Sequence, residues 1–374
     1  MREIKKRTVR AAVCATLLSG WVATAAADDI TYTFSGYGTL GGTFTSNSLY
    51  SYHHDQGEPQ GASNQFDVAL ESRLGLQAVV DFGSGFSVTA QELAKERVTG
   101  DFALGTEWLY LQYAPDSAWK VRLGRVVLPV FLLSDSRNVG YASPWFRAPN
   151  DVYGSLLFQH LDGAQALWHV NEGPVGLSLE ACYGTIKEQI LSAGVQYSTT
   201  VKDAYNVAVT LEYGDLLFRV ARTSLNIPES LPFSPTNIVN YLLRDKYTSV
   251  GLQYDNGKAV VLSEWVRSSQ NLVPGLTVPA SASSQWYVAG GWRFGKLTPL
   301  LSYSAYKPKQ SLVVPADASY GSWSGSLRYD VVRNIALKAQ VTRAQAGDDN
   351  YWVIPNPASS ARINVYSLGA DFVF

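Results

Sequence analysis

From residue 30 onward the sequence keeps returning to one pattern: short segments in which apolar and polar side chains alternate, each closed by a turn. A period of two is the signature of a strand with one apolar face. After the N-terminal segment no unbroken apolar run approaches the ~20 residues that a membrane-spanning helix needs. The charged fraction is 16%, well under the roughly 25% usual in soluble domains, and Tyr, Trp and Gly are abundant. These features exclude a helical membrane protein, a coiled coil, a collagen and a disordered chain. What remains is an all-β protein, either with a buried core or inserted in a bilayer as a barrel.

Strands are expected at about 30–44, 66–80, 84–95, 106–115, 119–127, 162–170, 174–183, 203–213, 216–225, 246–255, 258–269, 284–294, 296–307, 320–331, 333–345 and 362–374. The connections alternate. Short ones carry turn residues, such as Gly83, Asp116-Ser117, Gly214-Asp215, Asn256-Gly257 and Gly295, where Gly and Asn tolerate positive φ. Long ones, near 45–65, 96–105, 128–161, 184–202, 226–245, 270–283, 308–319 and 346–361, are polar and rich in Pro, Ser, Asn and Asp. Sixteen strands is an even count, which puts both termini of the chain on one side. Residues 184–202 include ILSAGVQYS, which has some strand character; admitting it alone makes the count odd, so it is assigned to a loop. In the third strand the alternation slips at Leu93.

The first 27 residues are five bases and one acid, then AAVCATLLSGWVATAAA, and they read as a secretory signal peptide cleaved after Ala27. Removing them leaves 25 Lys+Arg and 30 Asp+Glu over 28–374, a mildly acidic balance that argues against nucleic-acid binding. It also leaves Cys182 alone, so no intramolecular disulfide is available.

At the C-terminal end, RINVYSLGADFVF places Tyr366, Leu368, Ala370, Phe372 and Phe374 on one face. A final amphipathic strand ending in Phe resembles the assembly signal of Gram-negative outer-membrane β-barrels, which implies recognition by the outer-membrane assembly machinery. ITYTFSGYGTLGGTF resembles the first strand of the Gram-negative porin family. GRVVLPVFLLSDSRNVGYASPWFRAPNDVYG, at 124–154, resembles the end of the fifth strand and the inward-folded third loop of that family. The resemblance implies a transmembrane antiparallel β-barrel of sixteen strands, all-β, with a long third loop folded into the lumen. It further implies an outer-membrane porin, a homotrimer, passing small hydrophilic solutes and ions through a water-filled channel.

The last strand sets the convention for the two faces. Its apolar row meets lipid, so Leu74, Leu76, Val68, Leu70, Val250, Leu252, Tyr254, Trp323, Leu327 and Tyr329 are expected outside. Glu71, Arg73, Gln77, Gln253, Ser326 and Asp371 are expected inside, because Lys or Arg on the lipid face at mid-depth costs ~2–4 kcal/mol. Aromatics near strand ends, among them Tyr32, Phe82, Tyr213 and Phe294, suit interfacial girdles.

Residues 128–161 form the longest connection and are apolar for a loop, with VFLL, Trp145-Phe146 and LLF. Under the resemblance this is the constriction loop, with Asp135, Arg137, Arg147 and Asp151 on it and Glu71, Arg73, Lys120, Arg122 and Arg125 on the facing wall. Opposed charges across a narrow aqueous gap orient polar solutes. The other reading is that each loop Arg pairs with a nearby acid to anchor the loop. Tyr141, Trp145 and Tyr153 keep open a channel selective for a sugar, phosphate or organic acid. Metal, nucleotide and hydrolase chemistry find no support: His53-His54-Asp55 lacks a fourth ligand, Gly36, Gly38, Gly41 and Gly42 precede no helix, and His160 and His169 have no identifiable serine partner. No cofactor and no catalytic residue is expected. In the strands, Gly instead permits close approach of a neighbouring backbone or aromatic ring.

Overall fold

A computed structural model describes residues 30–54, 58–156, 158–192, 195–234, 237–273, 281–310, 319–346, 353–355 and 361–374. The expected signal peptide, residues 1–27, lies outside them. Sixteen antiparallel strands, from Thr31–Thr45 to Ala361–Val373, follow one another round a closed barrel. The last strand closes on the first, with Gly38 opposite Phe372, Gly41 opposite Gly369 and Thr43 opposite Ser367. Closure leaves no strand edge, which is what a bilayer demands of a sheet because lipid cannot hydrogen-bond an exposed backbone. Several short turns use the glycines that the sequence supplies there, with φ of 56° at Gly214, 80° at Gly257 and 60° at Gly295. Cys182 is a buried free thiol.

The two faces separate by chemistry. Leu76, Leu252, Trp323, Leu327 and Tyr329 are all exposed on the outer wall, while Ser326 and Asp371 are buried within. A water-facing surface does not carry Phe34, Tyr213, Phe294 and Leu104 at 60% or more of their full exposure; a lipid-facing one does.

The sequence and the structure differ in three places. The second strand is Arg73–Gly83 and not 66–80. Residues 66–72 instead turn on Asp67, whose Oδ1 accepts the Ala69 amide at 2.8 Å, leaving Val68 exposed and Leu70 buried. Residues 184–192, 195–202, 226–234 and 237–245 are not loop: they extend the flanking strands into the pairs Val175–Ser192 with Val195–Tyr213 and Leu216–Ser234 with Asn237–Asp255. The strand count is unchanged, because ILSAGVQYS supplies both arms of one hairpin. The extensions are stabilised from inside, where Ile186, Ile190, Val201 and Ile227 join one buried apolar cluster with residues of the long third connection. Finally, the slip at Leu93 is not a change of face. Leu93 continues the inward row and is fully buried, and the irregularity lies in the neighbouring strand, where Glu107 is skipped between Gln91–Trp108 and Glu92–Thr106. That is a β-bulge.

Glycines of the first strand do what a small residue permits. A Cβ on Gly36 or Gly38 would run into the rings of Phe374 or Phe372. The two final aromatics therefore occupy the outer side of the seam where a larger residue would stand.

Candidate functional site

Between strands Trp119–Val127 and His160–Glu172 the chain runs through residues 128–159, which include a short 3-10 turn, Gly140–Ala142, and one helical turn, Asn150–Tyr153. This segment is tied by hydrogen bonds to side chains of the inward row on many strands. At its start Arg219 and Asn206 donate to the Pro129 carbonyl at 2.9 and 3.2 Å, and Ser249 donates to the Val130 carbonyl at 2.6 Å. Glu264 accepts both the Leu132 amide and the Tyr153 hydroxyl at 2.8 Å. Further along, Lys338 Nζ donates to the carbonyls of Gly140, Ser143 and Trp145 at 2.6, 2.7 and 3.0 Å while pairing with Asp371 at 2.8 Å. Arg328 donates to the carbonyls of Tyr141 and Ser143 at 2.6 and 2.9 Å. A stretch with little regular secondary structure has many unpaired backbone groups, and buried ones need partners; here the barrel wall provides several.

Apolar contacts add to these ties. Phe131, Trp145, Val152, Tyr153, Leu156 and Phe158 bury themselves with Leu225, Leu262, Val266 and Tyr287 of the wall. Trp145 meets Tyr287 edge-on at 5.7 Å. Phe146 rests on the inner side of the seam, where Gly41 and Gly369 face each other. A Cβ on either glycine would come within 2.8 or 2.9 Å of its ring.

The charged residues divide into two groups. Arg147, on the long segment, pairs with Glu71 and donates to Thr43 Oγ1 at 3.0 Å; its amide donates to Gln340 at 3.1 Å and its guanidinium lies over the Tyr52 ring. Glu71 is 2% exposed and also faces His54 at 3.2 Å. Asp151 is equally buried and accepts a hydrogen bond from Ser304 at 2.6 Å. Burial pushes its carboxyl up to about 6, against the opposing pull of hydrogen bonds from Ser304 and Ser322. These residues hold the segment in place.

The second group faces open space. A cavity of about 650 Å³ beside the segment is bordered by Arg73, Arg125 and Arg137, and on one side by Glu71 and Arg147 of the first group. Four of the expected residues lie elsewhere. Lys120 is exposed, Arg122 bonds Gln112 and Gln165 at 2.9 and 3.1 Å, Asp135 is exposed within reach of the charges of Arg219 and Arg122, and Asp151 is buried. Arg125 borders the cavity but is held by Asp162 through bonds of 2.7 and 2.9 Å. Its register partner Leu109 is outward, so it does not continue the inward row of Lys120 and Arg122.

The sequence reading did not single out Lys95, Arg97, Glu107, Lys187 and Glu188, which also border this cavity, or the anchors Glu264, Arg328 and Lys338. Alternation already puts Lys338 on the inward row of IALKAQVTR. What it cannot supply is the partner, which lies almost two hundred residues away.

Residues 11–349 match the family model described as Gram-negative porin. No curated protein sequence matches the chain. Among solved structures, an anion-selective porin from Comamonas acidovorans superposes with a TM-score of 0.61 at 13% identity, over 92% of this chain and 100% of that one. OmpT of Vibrio cholerae in its trimer form gives 0.59 at 13%, over 92% and 99%. The outer-membrane channel DcaP of Acinetobacter baumannii gives 0.58 at 14%, over 96% and 100%. At these identities the likeness is one of fold.

Proposed function

Because the chain belongs to the Gram-negative porin family, we propose that residues 128–159 narrow its channel and that the charges beside them set its ion preference. The protein is an outer-membrane porin through which small hydrophilic solutes and ions diffuse passively. The observation that carries the finer reading is the clamp itself. Inward side chains from strands as far apart in sequence as Val195–Tyr213 and Ile335–Ala346 hold one segment, so it stays fixed while solutes pass. Catalysis is not part of the reading, since the family is one of porins.

Within the cavity Arg147 and Glu71 neutralise each other, and Arg97 pairs with Glu107 at 3.5 Å. Among the described residues Arg73 and Lys95 have no such acid within ion-pair distance, and Arg137 lies on the same border. Desolvated walls concentrate the field of such charges. The expected outcome is a mild preference for anions that resides in Arg73 and Lys95 and not in Arg147. Reversal potentials in planar bilayers test it: K95Q and R73Q shift toward cations, whereas R147Q lowers thermal stability by about 3–5 kcal/mol, the scale for stranding one member of a buried ion pair. A shift in R147Q with none in the other two would reverse the assignment.

Three further elements belong to the same proposal. Residues 1–27 serve as a cleaved signal peptide, supported by their basic, apolar and alanine-rich succession. The strand face Tyr366, Leu368, Ala370, Phe372 and Phe374 serves as the recognition signal for the assembly machinery. The chain forms a homotrimer, in keeping with the trimer form of the Vibrio cholerae structure.

A further inference from the structure

A second cavity, of about 250 Å³, lies on the short-turn side of the long segment. One wall is the segment itself, at Leu133 and residues 141–144. The facing wall comes from five consecutive strands, Asn237–Asp255 to Tyr320–Val332, and the turns between them. Asp255 and Arg293 stand beside the Gly257 and Gly295 turns. The segment side is fixed, because Arg328 and Lys338 hold the carbonyls of Tyr141 and Ser143. The volume is below the roughly 300–1,000 Å³ of sites for drug-sized molecules, so the cavity suits a small solute.

Its polar groups are balanced in sign. Arg293 binds Asp255 through bonds of 2.5 and 2.7 Å, and Arg328 binds Asp330 at 2.9 Å. Each pair leaves a charge-bearing atom unused. Nε of Arg293 donates to no described residue, and Oδ2 of Asp330 accepts from none. Those two side chains are 33% and 34% exposed, and the charge of Asp330 is felt at Arg293. A cationic donor and an anionic acceptor from different pairs therefore share one mouth. Behind them the lining is aliphatic, with Val260 and Leu262, each 3% exposed, facing Leu133 and Pro144. The Tyr141 ring already carries the Arg328 guanidinium at 4.7 Å, so one of its faces is taken.

This combination selects among solutes. A simple anion or cation would satisfy one end and leave the opposite charge desolvated without a partner. A sugar would set its hydroxyls against an aliphatic floor. A molecule with both charges on neighbouring atoms and an apolar branch meets all three surfaces. We propose that this cavity binds zwitterionic α-amino acids with aliphatic side chains. The α-carboxylate accepts from Arg293, the α-ammonium donates to Asp330, and the side chain lies against Val260 and Leu262. The inference goes beyond passive diffusion: it concerns equilibrium binding to the folded barrel and stands or falls whether or not the protein conducts.

The test titrates the full protein in nanodiscs with L-leucine and a series of analogues, followed by calorimetry. Glycine, which lacks the apolar branch, is expected to bind wild type about tenfold more weakly than leucine. Leucinamide lacks the carboxylate and isocaproate lacks the ammonium; each should also lose about tenfold, the scale of one hydrogen bond to a charged group. Variants then locate the two contacts. R293Q is expected to weaken leucine about tenfold while leaving leucinamide unchanged, and D330N to weaken leucine equally while leaving isocaproate unchanged. Equal affinity of wild type for leucine and glycine, glucose binding as tightly as leucine, or leucine affinity unchanged in both variants overturns the proposal. Should either variant not fold, the analogue series on wild type decides alone: no loss on removing either charge is contradictory.

Discussion

At the scale of single residues, the long segment is held by groups whose chemistry changes once they are buried. Asp151 has a carboxyl raised to about 6 by its removal from water, against an ordinary value of 3.8. A raised carboxyl binds its proton more tightly in the folded state, so it favours folding below its pKa and disfavours it as pH climbs from about 4 through 6. D151N removes that titration. Calorimetric melting should therefore find D151N more stable than wild type at pH 7.5, with the gap narrowing through about pH 5 and nearly closed by about pH 4; a gap independent of pH would place the carboxylate in water. Asp151 and Arg147 are also where the sequence was least informative. Both were recognisable as charges on an apolar loop, and pairing with a nearby acid was one of two readings of Arg147. Choosing between them required Glu71, which the sequence placed on a strand and the structure places in a turn before one.

At the scale of elements, the barrel and its third connection are stabilised by one another. Period-two alternation made the strands legible, down to the faces of Ser326 and Trp323, because lipid outside and water or loop inside impose opposite chemistry on successive residues. The hairpin extensions at 184–202 and 226–245 were not legible. Their inward Ile186 and Ile227 join a buried cluster only because Phe158 and its neighbours come back to meet it, a contact that leaves no local trace in the sequence. The seat of Phe146 on Gly41 and Gly369 is of the same kind: glycine in a strand announces a close approach but not what approaches. F146A leaves a void there, and by the scale of buried aromatic truncations it should cost about 3–5 kcal/mol. G41V is expected to displace the ring. Both variants should admit larger sugars into liposomes than wild type does. An unchanged size limit would mean that this end of the segment does not define the narrowest point.

At the scale of the whole molecule, the low charge content of the chain is a consequence of its inverted surface. The outer wall turns rows of apolar side chains to lipid, and acids such as Glu264 and Asp371 are kept on the inward row, where they pair or bond to the segment crossing it. The result is a rigid, closed sheet around a fixed obstruction, with charged groups bordering the remaining space. Such an arrangement passes solutes down their gradients without changing shape. Single-channel conductance of the purified protein, measured in planar bilayers over a wide range of KCl concentration, tests this most directly. Passive diffusion through a water-filled pore predicts an open, ohmic channel whose conductance rises in proportion to salt at high concentration; no conductance, or saturation at millimolar salt, would contradict it.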